Sequence, residues 1–244
     1  MSTRTEEVVY QARNVSLHGA IAWNGERKDK RPGVLVVHEW WGHDEYVRGR
    51  ARELAQAGYV GLAVDMYGDG KKAETPDQAG KLMTQVLGDP AQMRARFEAA
   101  RDVLIEHAAT DRARLAALGY CFGGAVVLHM ARAGLDLKAV ASLHPGSLAT
   151  TQPARRGTLK AKVLACLGAD DPFVSKEERD AFRHEMSSAG ADFELVEYPG
   201  VVHGFTVPAA TERGQKYGLP LAHDAKAERD SWSRMVRLFA RAFA

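Results

Sequence analysis

The stretch Leu118-Gly119-Tyr120-Cys121-Phe122-Gly123-Gly124 decides the fold of this chain. An apolar run leads into it and a helix-like stretch follows, which is the pattern of a tight strand-to-helix turn with a nucleophile at its apex. The positions two before and two after the apex must be small because strand and helix approach closely there, and Gly119 and Gly123 meet that need. The N–H of Phe122 is expected at the first turn of the helix, where free donors favour a thiolate and a developing oxyanion. The motif therefore predicts acyl-transfer chemistry at Cys121, although a glycine-flanked cysteine is also compatible with a buried structural role.

Outside this motif, short apolar runs alternate with longer stretches of helical period. This alternation is typical of a mostly parallel central sheet with helices on both faces, and it predicts one α/β domain over residues 1–244. The predicted strands are Val8 to Tyr10, Val15 to Trp23, Val34 to Val37, Tyr59 to Val64, Leu115 to Leu118, Ala139 to Leu143, Val163 to Leu167 and Phe193 to Tyr198. The predicted helices are Tyr46 to Ala57, one stretch within Gly70 to Asp89, Pro90 to His107, Ala125 to Ala133, Lys176 to Ala189 and Ala225 to Phe243.

Length and charge limit the classes of partner. A chain of 244 residues can bury a large core, and no linker divides it. There are 33 Lys and Arg residues against 31 Asp and Glu, and the basic residues are scattered along the chain. This balance makes nucleic acid an unlikely partner. Separately, we expect a small-molecule lactone or ester as substrate, and a monomer or a small homo-oligomer.

Cysteine and histidine spacing argues against a metal or a disulfide framework. The two cysteines, Cys121 and Cys166, are far apart and have no CxxC or Cys/His ligand spacing. Cys166 lies in the middle of a predicted strand and is expected to be an inert core residue. His38, His43 and His144 fall near strand ends, but a metal site would need a third ligand at a defined spacing. We therefore expect no metal and no cofactor.

The N-terminus and the hydropathy pattern bear on location. The segment from Met1 to Glu7 is polar and has no apolar signal core, and no run of about 18 apolar residues occurs. The sequence predicts a protein that is neither exported nor inserted in a membrane. A cytoplasmic location would keep the Cys121 thiol reduced.

Two further residues follow predicted strands at the positions that a nucleophile elbow requires. Asp171 comes after the strand that ends at Leu167, and His203 follows the last strand. Open α/β sheets place their sites at such strand ends, and nucleophile, acid and histidine in this order is the arrangement of α/β-hydrolases. His203 would exchange the proton of Cys121, and Asp171 would fix the tautomer of the imidazole. Asp170 competes for the acid role, and each residue alone is also compatible with ordinary turn chemistry.

The motifs together are specific enough to point to a family. They are Glu39-Trp40-Trp41-Gly42, Asp65-Met66-Tyr67-Gly68, Gly119 to Gly124, Asp171-Pro172-Phe173-Val174 and His203-Gly204-Phe205. Over nearly its whole length the chain resembles the dienelactone hydrolase family of α/β-hydrolases. The resemblance implies that Cys121 forms a thioester with the substrate acyl group. It also implies that Glu39 holds the proton of the resting thiol, and that the N–H groups of Trp40 and Phe122 form an oxyanion hole. Glu39 is notable independently, because a carboxylate beside the apolar run Val34 to Val37 would be costly to bury without a partner or a function.

The sequence departs from the family at one position that bears on the substrate. Members that act on dienelactones carry an arginine shortly after the catalytic histidine and phenylalanine, where this chain has Thr206 and Val207. Arg213, Lys216 or Lys71 could supply a cation instead, although each is more typical of a solvated surface charge. The residues expected to line an apolar substrate pocket are Trp41, Tyr67, Phe205 and Val207, although strand-end aromatics are equally common in plain cores.

The sequence therefore predicts a cofactor-free cysteine hydrolase of the carboxymethylenebutenolidase type, acting on a small lactone or activated ester. The alternative is a protein of the same fold that binds a ligand or senses oxidants through a reactive Cys121 thiol. A sensor would need neither Asp171 nor an oxyanion hole, which favours the hydrolase.

Overall fold

The computed structural model describes residues 2–244. Its strands are β1 (Thr3–Ala12), β2 (Val15–Asn24), β3 (Arg31–Val37), β4 (Val60–Val64), β5 (Thr110–Tyr120), β6 (Ala139–Leu143), β7 (Lys162–Gly168) and β8 (Phe193–Tyr198). Its helices are α1 (Glu45–Gln56), α2 (Pro76–Leu87), α3 (Pro90–Glu106), α4 (Phe122–Arg132), α5 (Lys176–Ala189), α6 (Ala210–Tyr217) and α7 (Ala225–Phe243).

The strands form an eight-stranded sheet in the order β1-β2-β4-β3-β5-β6-β7-β8. Strand β2 is antiparallel to both β1 and β4, whereas the pairs β3–β4, β6–β7 and β7–β8 are parallel. This is the mostly parallel sheet that the alternating pattern predicts. The chain divides into two compact units, one ending at Ala117 and the other covering Leu118–Ala244. That residues 1–244 form a single domain stays a prediction.

In the first unit, helices cover both faces of the parallel strands. Gly33 is paired in register with Val60 and Val34 with Gly61, so the α-hydrogens of Gly33 and Gly61 point to opposite faces. A Cβ at Gly33 would meet Leu104 of α3, and a Cβ at Gly61 would meet Ala51 of α1. Strand β3 is buried on both sides for this reason, which explains its continuous apolar run.

The second unit is layered in the same way. Ser142 of β6 lies against the start of α4, where a Cβ added to Gly124 would meet its hydroxyl. Cys166 of β7 points to the other face, where the hydroxyl of Tyr198 links it to Asp230 of α7. Helices α4 and α7 therefore cover opposite faces of β6 and β7.

Helix boundaries follow the capping residues. The carboxylate of Asp44 accepts hydrogen bonds from the N–H groups of Tyr46 and Val47 at the start of α1, and Asp89 caps α3 ahead of Pro90. Strand β5 begins at Thr110, earlier than predicted, because its first residues are charged and partly solvated and so lack an apolar pattern. Helix α6 was not predicted, since it is short and polar.

Candidate active site

Cys121 lies at the apex of a strained turn between β5 and α4. Its φ of 51° and ψ of −113° belong to a conformation that non-glycine residues rarely adopt. Its N–H donates to the carbonyl of Leu143 at 3.1 Å, and its own carbonyl accepts from the N–H of Gly146 at 3.0 Å. A Cβ at Gly119 would overlap the carbonyl of Gly123, so the close approach that the motif predicts is present. The turn holds the Cys121 side chain at the N-terminus of α4, and only 8% of the residue is exposed.

His203 and Asp171 lie together in the same unit. Nδ1 of His203 is 2.7 Å from Oδ2 of Asp171, and the other carboxylate oxygen accepts from the N–H of Phe173 at 2.9 Å. Both side chains are buried, whereas Asp170 is exposed. Of the two adjacent aspartates, the structure therefore pairs Asp171 with the imidazole.

The second ring nitrogen of His203, Nε2, is buried and forms no hydrogen bond of normal geometry to any residue in the range 2–244. The ring nevertheless interacts electrostatically with Cys121. Burial lowers the pKa of His203, but its interactions with Cys121 and Asp171 outweigh this effect and raise the pKa to about 10. An imidazolium is thus the favoured form of His203 near neutral pH.

Aromatic rings enclose the imidazole of His203. The ring of Phe173 meets it edge-on with centroids 4.9 Å apart, and the ring of His144 does so at 5.2 Å. Phe173 is 44% exposed although it is large and apolar, so it presents an accessible apolar surface beside the histidine. Nε2 of His144 is 2.7 Å from the hydroxyl of Thr206. The sequence placed His144 near a strand end but gave no indication of this contact.

Arg179 of α5 holds the loop that carries Asp171. Its guanidinium donates to the carbonyl oxygens of Gly168, Ala169, Asp171 and Val174, and it pairs with Glu197 at 2.9 Å. The residue is buried, with 8% exposure, so these contacts are formed away from solvent. A single arginine within an amphipathic helix gives no signal in the sequence, and this role was missed.

The first unit contains Glu39, Trp40 and Trp41 in the turn that follows β3, and Tyr67 shortly after the end of β4. The carbonyl of Glu39 accepts from the N–H of Gly42 at 3.2 Å, and Glu39 is 7% exposed. The hydroxyl of Tyr67 donates to the carbonyl of Trp40 at 2.9 Å, and the rings of Trp40 and Trp41 pack edge-on at 5.1 Å. Glu39, Trp40, Trp41 and Tyr67 thus lie close together in this unit.

The residues predicted to line the pocket are largely buried. Trp41 and Tyr67 are 5% and 4% exposed, and Val207 is 3% exposed. Phe205 is fully buried, with its ring 5.3 Å from each of the rings of His144 and Tyr198. In the second unit, Phe205 therefore packs against His144, which in turn contacts the ring of His203. The lining of a substrate pocket by these four side chains stays a prediction.

Cys166 differs chemically from Cys121. It is fully buried, and burial raises the pKa of its thiol to about 12, which makes a thiolate unfavourable. Neither cysteine forms a disulfide. Within the described part of the chain, no group of three or more His, Cys, Asp or Glu residues is arranged to hold a metal ion. No helix over the same residues is both long and apolar enough to cross a membrane.

Comparisons with known proteins bear on the family to which the chain belongs. The model of the dienelactone hydrolase family matches residues 19–243. A relative in Aquifex aeolicus named as a carboxymethylenebutenolidase is 28% identical over 239 residues, covering 95% of this chain and 96% of its own. The protein usf of Aquifex pyrophilus is 29% identical with the same coverage.

Solved structures give the same result. A dienelactone hydrolase-like promiscuous phosphotriesterase from metagenomic libraries is 33% identical and superimposes with a TM-score of 0.92 over the full length of both chains. An acylaminoacyl peptidase of Pyrococcus horikoshii is 14% identical and superimposes with a TM-score of 0.72. The match covers all of this chain and 42% of the peptidase chain, and it shows only that the two share a fold. The chain has the α/β-hydrolase fold, belongs to the dienelactone hydrolase family and is a hydrolase of carboxylic esters or lactones.

Proposed function

We propose that the protein hydrolyses a small lactone or activated ester through a triad of Cys121, His203 and Asp171 and a thioester intermediate. The observation that carries the proposal is the strained turn at Cys121 in the same unit as the buried His203–Asp171 pair. A non-glycine residue at positive φ costs free energy, and such strain concentrates at functional sites. The raised pKa of His203 further supports an imidazolium at this residue as the proton donor to the leaving group.

The reaction proceeds in two halves. In the first, the thiolate of Cys121 attacks the carbonyl carbon, a C–S bond forms and the carbonyl electrons move to oxygen. When the tetrahedral intermediate collapses, the C–O bond of the ester breaks and the leaving oxygen takes the proton from His203. In the second, His203 removes a proton from water, which attacks the thioester carbonyl, and the C–S bond breaks to return the thiolate. Asp171 holds Nδ1–H of His203 throughout, so that Nε2 is the atom that exchanges protons.

The roles of Glu39, Trp40 and Phe122 come from the family resemblance. We assign to Glu39 the proton of the resting thiol, and to the N–H groups of Trp40 and Phe122 the stabilisation of the oxyanion. Phe122 begins α4, and the N–H groups in the first turn of a helix point toward its N-terminal end, where they can stabilise a negative charge.

The substrate class follows from the chemistry of sulfur. A thiolate is a better leaving group than an alkoxide, so the tetrahedral intermediate of an ordinary alkyl ester expels the thiolate and returns to substrate. The intermediate of an enol lactone or aryl ester expels its enolate or aryl oxide instead and forms the thioester. Incubation with 4-nitrophenyl acetate followed by intact-mass measurement tests the proposal. A transient acetyl adduct of Cys121 with steady release of nitrophenolate is expected. An adduct that never turns over, or oxidation of Cys121 by peroxide without any esterase activity, would favour the ligand-binding or sensor alternative.

A second candidate activity is the hydrolysis of phosphotriesters. It rests on the 33% identity over the full chain to a dienelactone hydrolase-like promiscuous phosphotriesterase. The same thiolate would attack phosphorus and displace an aryl oxide, and water would then cleave the P–S bond. Release of 4-nitrophenol from a dialkyl 4-nitrophenyl phosphate, lost in Cys121→Ser, tests this activity.

The cellular setting is also inferred from the thiol. A working Cys121 and two unpaired cysteines support a reducing, cytoplasmic location. The partner that we infer is a small-molecule substrate. The protein is predicted to be a monomer or a small homo-oligomer. Light scattering of the purified protein tests this prediction.

A further inference from the structure

His38 is a fully buried histidine that the reaction above does not use. It directly follows β3 and precedes Glu39, and none of its surface is exposed. The sequence suggested only a metal ligand for it, without a complete ligand set. A buried imidazole at this position must have a partner on each ring nitrogen, and those partners reveal its function.

The two ring nitrogens of His38 contact the backbone of two different loops. Nδ1 is 2.5 Å from the carbonyl oxygen of Glu39, and Nε2 accepts the N–H of Met66 at 3.2 Å. A carbonyl oxygen only accepts and an amide only donates, so Nδ1 carries the proton and Nε2 does not. Burial lowers the pKa of His38, which keeps the ring neutral in this single tautomer.

The hydrogen bond from His38 fixes the peptide that joins Glu39 to Trp40. The carbonyl of this peptide also accepts from Gly42, so both of its lone pairs are occupied on one side. In a trans peptide the N–H points opposite to the carbonyl, so the N–H of Trp40 is turned to the other side. Among residues 2–244, the N–H of Trp40 donates to no other group.

The carbonyl groups of Trp40 and Trp41, which come next in the same turn, also accept hydrogen bonds from other residues. The hydroxyl of Tyr67 donates to the carbonyl of Trp40, and the N–H of Ala73 donates to the carbonyl of Trp41 at 2.9 Å. The turn therefore presents a donor, the N–H of Trp40, with its neighbouring acceptors occupied elsewhere. A peptide free to flip would instead offer the carbonyl of Glu39, which repels an oxyanion.

We propose that His38 is a positioning residue that holds the Glu39–Trp40 peptide in the orientation needed for the N–H of Trp40 to stabilise the oxyanion. The inference rests on the proposed function, because it assumes that Trp40 is an oxyanion donor. His38 does not touch the substrate; it acts through the peptide.

Two substitutions separate this role from simple packing. In His38→Asn the amide nitrogen replaces Nδ1 and keeps the donor to Glu39, whereas in His38→Gln the amide oxygen replaces Nε2 and keeps the acceptor for Met66. Each variant loses one buried hydrogen bond, so similar losses of thermal stability are expected. Only His38→Gln should lower kcat for 4-nitrophenyl acetate, by about 10- to 100-fold, with KM within about threefold of the parent. Complete loss of an oxyanion donor lowers kcat by about 10²- to 10³-fold, and a peptide that is only partly misoriented should cost less.

A matched control and a second readout complete the experiment. His43→Leu removes another buried imidazole, whose Nε2 contacts the carbonyl of Ala63, and should leave kcat within about threefold of the parent. The affinity for a trifluoromethyl ketone, which forms an oxyanion with Cys121, should fall in His38→Gln by the same factor as kcat. The alkylation rate of Cys121 by iodoacetamide, which forms no oxyanion, should not change.

Equal kcat losses in His38→Asn and His38→Gln, or none in either, would overturn the inference and leave His38 a structural residue. In the unaltered protein, ¹⁵N chemical shifts of His38 should report a protonated Nδ1 and a bare Nε2 from pH 6 to pH 9. The opposite tautomer would overturn the inference even if a variant failed to fold. Failure of the proposed function has a different signature, namely no ester turnover by the parent protein or full activity in Cys121→Ser.

Discussion

The imidazole of His203 and the carboxylate of Asp171 are joined at 2.7 Å between Nδ1 and Oδ2, and both side chains are excluded from solvent. The other oxygen of Asp171 is held by the N–H of Phe173, so the carboxylate has a fixed orientation. Arg179 in turn holds the carbonyl of Asp171. The pair is thus rigid before any substrate binds.

Replacing Asp171 with Asn should leave the fold intact and reduce kcat by a factor of about 10³ to 10⁴, because the amide favours the wrong tautomer of His203. Circular dichroism and steady-state kinetics with 4-nitrophenyl acetate check this. Asp170→Asn, which alters the exposed neighbour, is the control and should be mild. A more damaging Asp170→Asn would show that the acid is the adjacent residue.

Cys121→Ser should lose most of the activity, because a hydroxyl has a far higher pKa than a thiol and is not ionised by His203 at neutral pH. Iodoacetamide should label Cys121 ahead of Cys166, whose pKa is raised to about 12 by burial. Peptide mass mapping after partial alkylation measures the order. Cys166→Ala serves as the control and should retain turnover; activity within a fewfold of the parent in Cys121→Ser would contradict the nucleophile.

The contribution of His203 to the free energy of unfolding should decrease as the pH rises from about 6.5, the ordinary pKa of a histidine, to about 10. The folded protein holds the His203 proton more tightly than the unfolded chain, so this contribution is complete below the unfolded pKa and is lost as the pH rises through the folded one. Urea titrations at a series of pH values measure the slope. His203→Gln should flatten it, and an unchanged slope in that variant would assign the effect to other groups.

Gly119→Ala should destabilise the protein by about 1–3 kcal/mol or more, because its Cβ would overlap the carbonyl of Gly123. Gly80→Ala is the matched control: Gly80 lies within α2 with no atom near an added Cβ, so the change should stabilise the helix by about 1 kcal/mol. Thermal and urea denaturation compare the two variants. Equal stabilities would mean that strand and helix separate easily at the elbow.

Neutral lactones or esters should compete well with dienelactone itself, because Val207 stands where family members acting on dienelactones have an arginine. Val207 is buried and offers no charge, and an unpartnered buried carboxylate would reduce kcat/KM by orders of magnitude. The ratio of kcat/KM for dienelactone and its methyl ester measures the preference. A strong preference for the free acid would show that Arg213, Lys216, Lys71 or another cation pairs with the substrate carboxylate.

The sequence alone predicted the order of most elements and named the candidate residues for the chemistry. Buried strands have continuous apolar runs, and the elbow requires glycines at fixed spacing, so the fold class and Cys121 could be read locally. The family resemblance added Glu39 and Trp40. Short polar elements were missed, α6 among them, since their stability comes from packing and not from periodicity.

The tertiary structure decided which neighbours act together. Asp170 and Asp171 have the same chemistry and adjacent positions, and only the path of the loop after β7 determines that Asp171 faces His203. The tautomer of His38 likewise depends on Glu39 and on Met66, which lies far along the chain. Local sequence encodes propensity and spacing, whereas a hydrogen bond between distant residues exists only once packing has brought its two atoms together.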